Sequence, residues 1–318
     1  MIREPIRIAL IGAGRMGRTH LDALQRAEGL SVAAIVEPVA SVRESVAARG
    51  YRTEASVDAL LDQAGFDAVL IAAPSDQHLE LVLRFAGAGI PMLCEKPVGI
   101  GTAEAEQALA AVQRAGIIFQ VGYWRRFVPE LRALRHRIAA GALGEIVQVS
   151  CHQWDAESPS AEFRAHSGGI AVDMGVHEFD QTRWLTGQDV AWLTAASGAG
   201  GAQAGRDPDV AVILAQLTGG AAATVSLGRT FPHGDCCWVE VFGTGGYERI
   251  PFIWGEPGQR AFGEALVAQA NAFAAAVRGE RQLGAGGEDA LAALTAAELA
   301  AGSLLDGQRR EVLARVGA

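Results

Sequence analysis

The chain has 318 residues, half of them hydrophobic and 20% charged, so it can bury a large core and is too long for one ordinary domain. A formal net charge of -9 leaves no basic footprint for nucleic acid or an anionic membrane surface, which points to a small ligand. Cys94, Cys151, Cys236 and Cys237 lack metal-ligand or redox spacing, and MIREPIRIALIGAG runs into a strand pattern without a signal region; no metal, no disulfide framework and a soluble, cytoplasmic protein are expected.

The first half alternates short apolar runs with longer Ala- and Leu-rich helical runs. The apolar runs are IRIALIG (6–12), VAAIV (32–36), DAVLIAAP (67–74), PMLCE (91–95) and IIFQVG (117–122). This alternation predicts an α/β domain over 1–122, a Rossmann-type doubly wound parallel sheet. The runs are continuously apolar, as burial on both faces of a sheet requires.

LIGAGRMGRTH (10–20) places Gly12, Gly14 and Gly17 in G-x-G-x-x-G spacing. In a chain with 39 glycines that spacing alone is weak. Its context strengthens it: the motif sits between a strand and a helix, and Glu37 stands 20 residues beyond Gly17 at the end of the next strand. Gly12 suits a tight turn, Gly14 a close approach to pyrophosphate and Gly17 close helix packing, while an acid at Glu37 can accept from an adenosine ribose. A carboxylate there repels a 2′-phosphate, so NAD is expected over NADP, although Arg43 stands close enough in sequence to reshape the site.

From Tyr123 the texture changes, and 123–318 reads as a second, α+β domain with an open, mostly antiparallel sheet, expected to bind substrate and to drive oligomerisation. A helical run (127–140) precedes a strand (145–154), a polar loop and the segment VDMGVHEFDQTRW (172–184). Strand candidates follow at 190–197, 209–217, 221–229 and 237–246, with TGG as a hairpin signal, and two Ala-rich helices at about 260–278 and 288–305 close the chain. GAGGAQAGRD (198–207) reads as a mobile connection.

Read as one helix, VDMGVHEFDQTRW carries Asp173, His177 and Asp180 on one face, beside an apolar stripe of Val172, Val176 and Phe179. Such a charged row is ordinarily a solvated surface.

Taken together, GAGRMGRTH, AAPSDQH (72–78), CEKPVG (94–99), GYWRRFVPE (122–130) and GGIAVDMGVHEFDQTRWLTG (168–187) resemble the Gfo/Idh/MocA family of nicotinamide-dependent sugar and cyclitol oxidoreductases, with inositol dehydrogenases closest in appearance. The resemblance implies that Lys96 is the catalytic-site lysine and that Asp173 and His177 are the acid–base pair, the charged row then facing a cleft between the domains. It further implies a cis bond before Pro97, and cofactor contacts from Arg15, Met16, Ala73, Pro74, Glu95 and Lys96 besides Gly12, Gly14, Gly17 and Glu37. His78 reads either as a helix end packed on the sheet or as a nicotinamide-side contact.

Trp124, Arg125 and Arg126 read as lining for a polyol pocket or as a linker salt bridge, and Asp155 matches in place a polar residue that some relatives direct at substrate. FPHGDCCW (231–238) replaces a tyrosine-rich stretch of inositol dehydrogenases and makes His233 and Asp235 candidates for substrate contact. His20, His136, His152 and His166 have no partner at chemical spacing, and Asp180 and Arg183 read as structural. The expected activity is NAD-dependent oxidation of a secondary hydroxyl of a cyclitol or cyclic sugar by a homodimer or homotetramer. The alternatives are a glycosidase using transient oxidation by NAD and a non-catalytic NAD-binding sensor.

Overall fold

The computed structural model describes residues 4–63, 65–198 and 207–312, so all but the two ends of the 198–207 connection lies outside the described residues. The chain divides into two compact units: Met1–Gly99, Ala103–Trp124 and Gly263–Glu288 form the first, and Ile100–Thr102, Arg125–Phe262 and Asp289–Ala318 the second.

The first unit is built on six parallel strands: β1 (Ile6–Ile11), β2 (Leu30–Val36), β3 (Thr53–Glu54), β4 (Ala68–Ile71), β5 (Met92–Cys94) and β6 (Phe119–Val121), in the order β3-β2-β1-β4-β5-β6. Every residue of β4, β5 and β6 is buried, which is why they read as continuous apolar runs. The order reverses between β1 and β4, the place where doubly wound sheets bind nucleotides. The two-residue β3 was too short to register in the sequence pattern.

The sequence division at 122/123 assigned the Ala-rich helix near 260–278 to the second domain. In the structure that helix, Gly255–Val277, contributes Ala270 and Phe273 to a core shared with Ile8, Leu10, Leu24 and Ile35. Polar ties accompany this packing: Asn271 Oδ1 accepts from the Glu28 N–H at 2.8 Å, and the Val121 N–H donates to the Ala285 carbonyl at 2.9 Å. These contacts account for the return of Gly263–Glu288 to the first unit.

The second unit carries a seven-stranded sheet: β7 (Ile146–Asp155), β8 (Val190–Ser197), β9 (Val210–Leu217), β10 (Ala222–Arg229), β11 (Cys236–Gly243), β12 (Gly246–Trp254) and β13 (Arg310–Glu311), in the order β12-β11-β7-β10-β9-β8-β13. All pairings are antiparallel except β7 with β10. β9 and β10 form the hairpin that TGG signalled. One sheet face buries Ile213, Ala215, Val225, Leu227, Val239 and Val149, whereas Val212 and Leu214 on the other face are 49% and 44% exposed. Among the described residues, no helix is long and apolar enough to cross a membrane.

Candidate functional site

In the first unit, β1 runs into the glycine-rich turn and then the helix Arg15–Arg26. Gly12 has φ +95°, and a Cβ there would meet the Ala72 carbonyl oxygen at 2.7 Å; a Cβ on Gly17 would overlap the Gly12 carbonyl. Both positions therefore require glycine for the turn and for helix packing. Gly14, at the helix N-cap, has open space where its side chain would be, and Arg15 beside it is exposed. A cofactor pyrophosphate fits such a cradle: the first N–H groups of a helix lack intrahelical acceptors and favour an anion.

Glu37 closes the same loop. Its Oε2 accepts from the Ala13 N–H at 2.8 Å and its Oε1 from the Val39 N–H at 2.9 Å, with the residue 6% exposed. Each carboxylate oxygen retains acceptor capacity for a ribose hydroxyl. Arg43 donates to the carbonyls of Glu37 and Pro38, at 2.7 and 2.9 Å, and so braces the turn beyond β2.

At the carboxyl end of β5, Cys94, Glu95 and Pro97 are buried, Lys96 is half-buried, and the Lys96–Pro97 bond is cis. The Lys96 N–H donates to Glu95 Oε2 at 3.1 Å, and His20 Nε2 donates to Glu95 Oε1 at 2.6 Å. Burial pushes the Glu95 carboxyl up, but the bond and charge of His20, with Lys96, outweigh it and leave it below its ordinary value. His20 thus has a partner that sequence spacing did not reveal. One signal was present: it stands three residues after Gly17, on the helix face that buries Leu21 and Leu24.

His78 opens the helix His78–Gly87 and is buried, with Nδ1 2.6 Å from the Pro97 carbonyl and Nε2 2.9 Å from that of Ala73. Burial holds its pKa below 6.5, so the ring is neutral and donates to one of the two carbonyls at a time. The side chain is packed as a helix end, spanning Ala73 and Pro97. Met16 and Ala73 are half-buried and Pro74 is exposed along the same edge.

In the second unit, the helix expected over 172–184 is interrupted at Met174 and becomes two, Ile170–Asp173 and Gly175–Thr186. Asp173 ends the first and His177 lies in the opening turn of the second, 8% exposed. Ten of the twelve residues of Gly175–Thr186 are buried, so the charged row is not a solvated face. Its charges are matched from within the unit. Arg125 Nη1 lies 2.6 Å from Glu178 Oε1, and Arg126 grips both oxygens of Asp180 at 3.0 and 2.5 Å. Burial raises both carboxyls against the pull of these guanidinium groups.

Arg125 and Arg126 are therefore engaged in buried ion pairs, the second also with Asp289 at 3.1 Å; Trp124, which starts their short 3-10 turn, is buried. Asp155 ends β7, its carboxylate accepting from Gln153 Nε2 at 3.2 Å. Asp235 accepts from the Ala156 N–H at 2.7 Å, tying the 231–235 turn to the end of β7. His233 is exposed, its ring edge-on to Phe231. Arg183 pairs with Asp189 and Asp289, each at 2.5 Å. The residue missed by sequence reasoning is Arg229, fully buried at the end of β10 with Nη2 3.6 Å from Asp173 Oδ2. Among the described residues, no group of three His, Cys, Asp or Glu could hold a metal.

Comparison with known proteins extends this arrangement. Residues 6–123 match the profile of the oxidoreductase family with an NAD-binding Rossmann fold, and residues 131–248 that of the GFO/IDH/MocA C-terminal domain. The chain is 45% identical to the rhizopine catabolism protein MocA of Rhizobium meliloti, across 92% of this chain and 93% of that protein. It is 30% identical to an inositol 2-dehydrogenase of Rhizobium meliloti (strain 1021), across 95% and 97%. Among solved structures, GenD2 from gentamicin A biosynthesis, in complex with NAD, superposes with a TM-score of 0.91 at 25% identity, covering 99% of this chain and 98% of that one. With a glycine cradle that fits NAD and both halves matched along their length, the chain belongs to the Gfo/Idh/MocA family of NAD-binding oxidoreductases, the family of the inositol dehydrogenases.

Proposed function

We propose that the protein oxidises a secondary hydroxyl of a cyclitol or cyclic sugar to a ketone or lactone, with His177 as general base assisted by Asp173 and Lys96. The observation that supports this reading most is the burial of His177 on a helix whose neighbouring charges, Glu178 and Asp180, are already matched by Arg125 and Arg126. Solvation does not account for an ionisable row there. Bound NAD supplies the hydride acceptor. His177 takes the hydroxyl proton, a task suited to imidazole because its pKa lies near neutrality. Asp173 orients the ring and stabilises its protonated form, and the Lys96 ammonium donates to the same substrate oxygen as negative charge develops. Gly12, Gly14, Arg15, Met16, Gly17 and Glu37 hold the dinucleotide, with Ala73, Pro74 and Glu95 along the same sheet edge.

The cyclitol class is supported by the relative named as an inositol 2-dehydrogenase. Asp155 and His233, at neighbouring strand ends of the second unit, are proposed as substrate contacts together with Trp124, Arg125 and Arg126; Arg125 donates to Gln153 Oε1 at 2.7 Å, and Gln153 Nε2 in turn donates to Asp155. The half-exposed Val212 and Leu214 on the outer sheet face support self-association into a homodimer or homotetramer. A panel of inositol isomers, aldoses and sugar acids incubated with NAD tests the substrate class. NADH absorbance from a cyclitol is expected; NADH from aldoses or sugar acids alone would move the assignment away from cyclitols.

A further inference from the structure

Arg229 has the largest side chain among those fully buried in the described residues, and it ends a strand that is otherwise apolar or small. Its Nη1 donates to Asp207 Oδ2 at 2.8 Å, while Nε and Nη2 make no hydrogen bond. A buried guanidinium with unused donors is costly unless a nearby charge compensates it. Two carboxylates supply that charge: Asp207, bonded at 2.8 Å, and Asp173 on the Nη2 side, whose Oδ2 lies 3.6 Å from Nη2, close enough for ionic attraction but beyond a hydrogen bond.

The opposite end of the short Asp173 helix is fixed by the same cluster. Asp207 Oδ1 accepts from the N–H of Ile170, the first residue of Ile170–Asp173, at 2.8 Å. Asp207 Oδ2 also accepts from Arg164 Nε at 2.8 Å, and Arg164 Nη1 reaches Asp209 Oδ1 at 2.6 Å. Arg229 closes the circuit through its own N–H, which donates to the Asp209 carbonyl at 2.9 Å. Arg164, Arg229, Asp207 and Asp209 therefore form a cluster that holds a four-residue helix at its first N–H and at its last carboxylate, Asp173. Thr230, next after Arg229, has φ +76° and is the non-glycine residue in the left-handed region among those described, a conformation that persists only where surrounding contacts enforce it.

We propose that Arg229 is a positioning residue for the oxidation: its guanidinium fixes the orientation of the Asp173 carboxylate and supplies its counter-charge, and through Asp173 it acts on His177. At 3.6 Å the Arg229 guanidinium acts on the Asp173 carboxylate by ionic attraction. Arg229 itself touches no reacting atom. The inference rests on the assignment of Asp173 and His177 given above.

The test is a double-mutant cycle on the full-length protein with NAD and myo- or scyllo-inositol as probe substrates. Variants are Arg229→Gln, Arg229→Lys, Asp173→Asn and Arg229→Gln with Asp173→Asn, each assayed on the folded fraction measured by circular dichroism. Arg229→Gln should lower kcat about tenfold, within the range for coupled neighbours, with a smaller change in KM. Arg229→Lys should recover part of the loss, and Arg229→Gln should cost little further once Asp173 is Asn. A purely structural arginine would instead lower the melting temperature and leave kcat per folded molecule unchanged, or give losses that multiply independently in the double variant; either result overturns the proposal. If Arg229→Gln does not fold, the comparison of Arg229→Lys in the two Asp173 backgrounds carries the same cycle. Wild-type turnover in Asp173→Asn, or no turnover of either inositol by the wild type, would refute the underlying assignment instead, and is read from arms that do not contain the Arg229 change.

Discussion

His20 Nε2 donates to Glu95 Oε1 at 2.6 Å, with both side chains buried, and the other oxygen of Glu95 accepts from the backbone of Lys96. The first helix after the glycine turn is thereby tied to the residue before the proposed catalytic lysine. His20→Leu strands a buried carboxylate, so it should destabilise the fold by about 3 kcal/mol, the usual cost of breaking a buried pair. Because the folded pKa of Glu95 is depressed, its contribution is present above the ordinary carboxylate value and is lost as pH falls through the folded value. Urea titrations at neutral pH check the first point, and an unchanged midpoint would show that the pair is dispensable.

The cofactor half of this architecture was legible because its signals are local. Strand, glycine turn, helix and Glu37 follow one another in sequence, and the steric demand at Gly17 arises within the same turn, whereas that at Gly12 comes from the Ala72 carbonyl after β4. The second unit was less legible for identifiable reasons. β12 escaped notice because it is an edge strand interrupted by Pro251, opposite a register shift at Cys237 and Trp238. The Ala-rich helix Gly255–Val277 has no strong polarity to say which core takes Phe273. Arg229 lies 22 residues from Asp207 and 56 from Asp173, and no local spacing announces either contact. Its one visible sign is a charge that ends a strand of apolar and small residues.

Glu37 should govern cofactor choice. Glu37→Ser removes the proposed ribose acceptor and two loop hydrogen bonds, so NAD binding should weaken and discrimination against NADP should narrow. Calorimetric titration with both cofactors measures this, and a wild-type preference for NADP would refute the assignment.

His78 predicts how stability depends on pH. Burial lowers its folded pKa below 6.5, so the unfolded chain takes up a proton first as pH falls. The stabilisation is complete above pH 6.5 and is lost progressively below it. Thermal melts of the wild type and His78→Gln between pH 7.5 and 5 should therefore show a shallower decline in the variant; parallel declines would mean that His78 does not contribute to the pH dependence.

Self-association is expected through the outer sheet face. Light scattering at micromolar concentration should give a multiple of the chain mass, and Leu214→Glu should reduce it by placing a charge on a surface 44% exposed in the single chain. A monomeric wild type would contradict this.

His177 as the base for alcohol oxidation is tested by comparing cofactor binding with turnover in one variant. With the inositol that gives the highest wild-type rate, His177→Ala should bind NAD with unchanged affinity, because the glycine cradle lies in the other unit, while kcat falls by roughly 10² to 10⁴, the usual contribution of a positioned acid–base group. Turnover within a few-fold of wild type in His177→Ala, at equal NAD occupancy, would contradict the account.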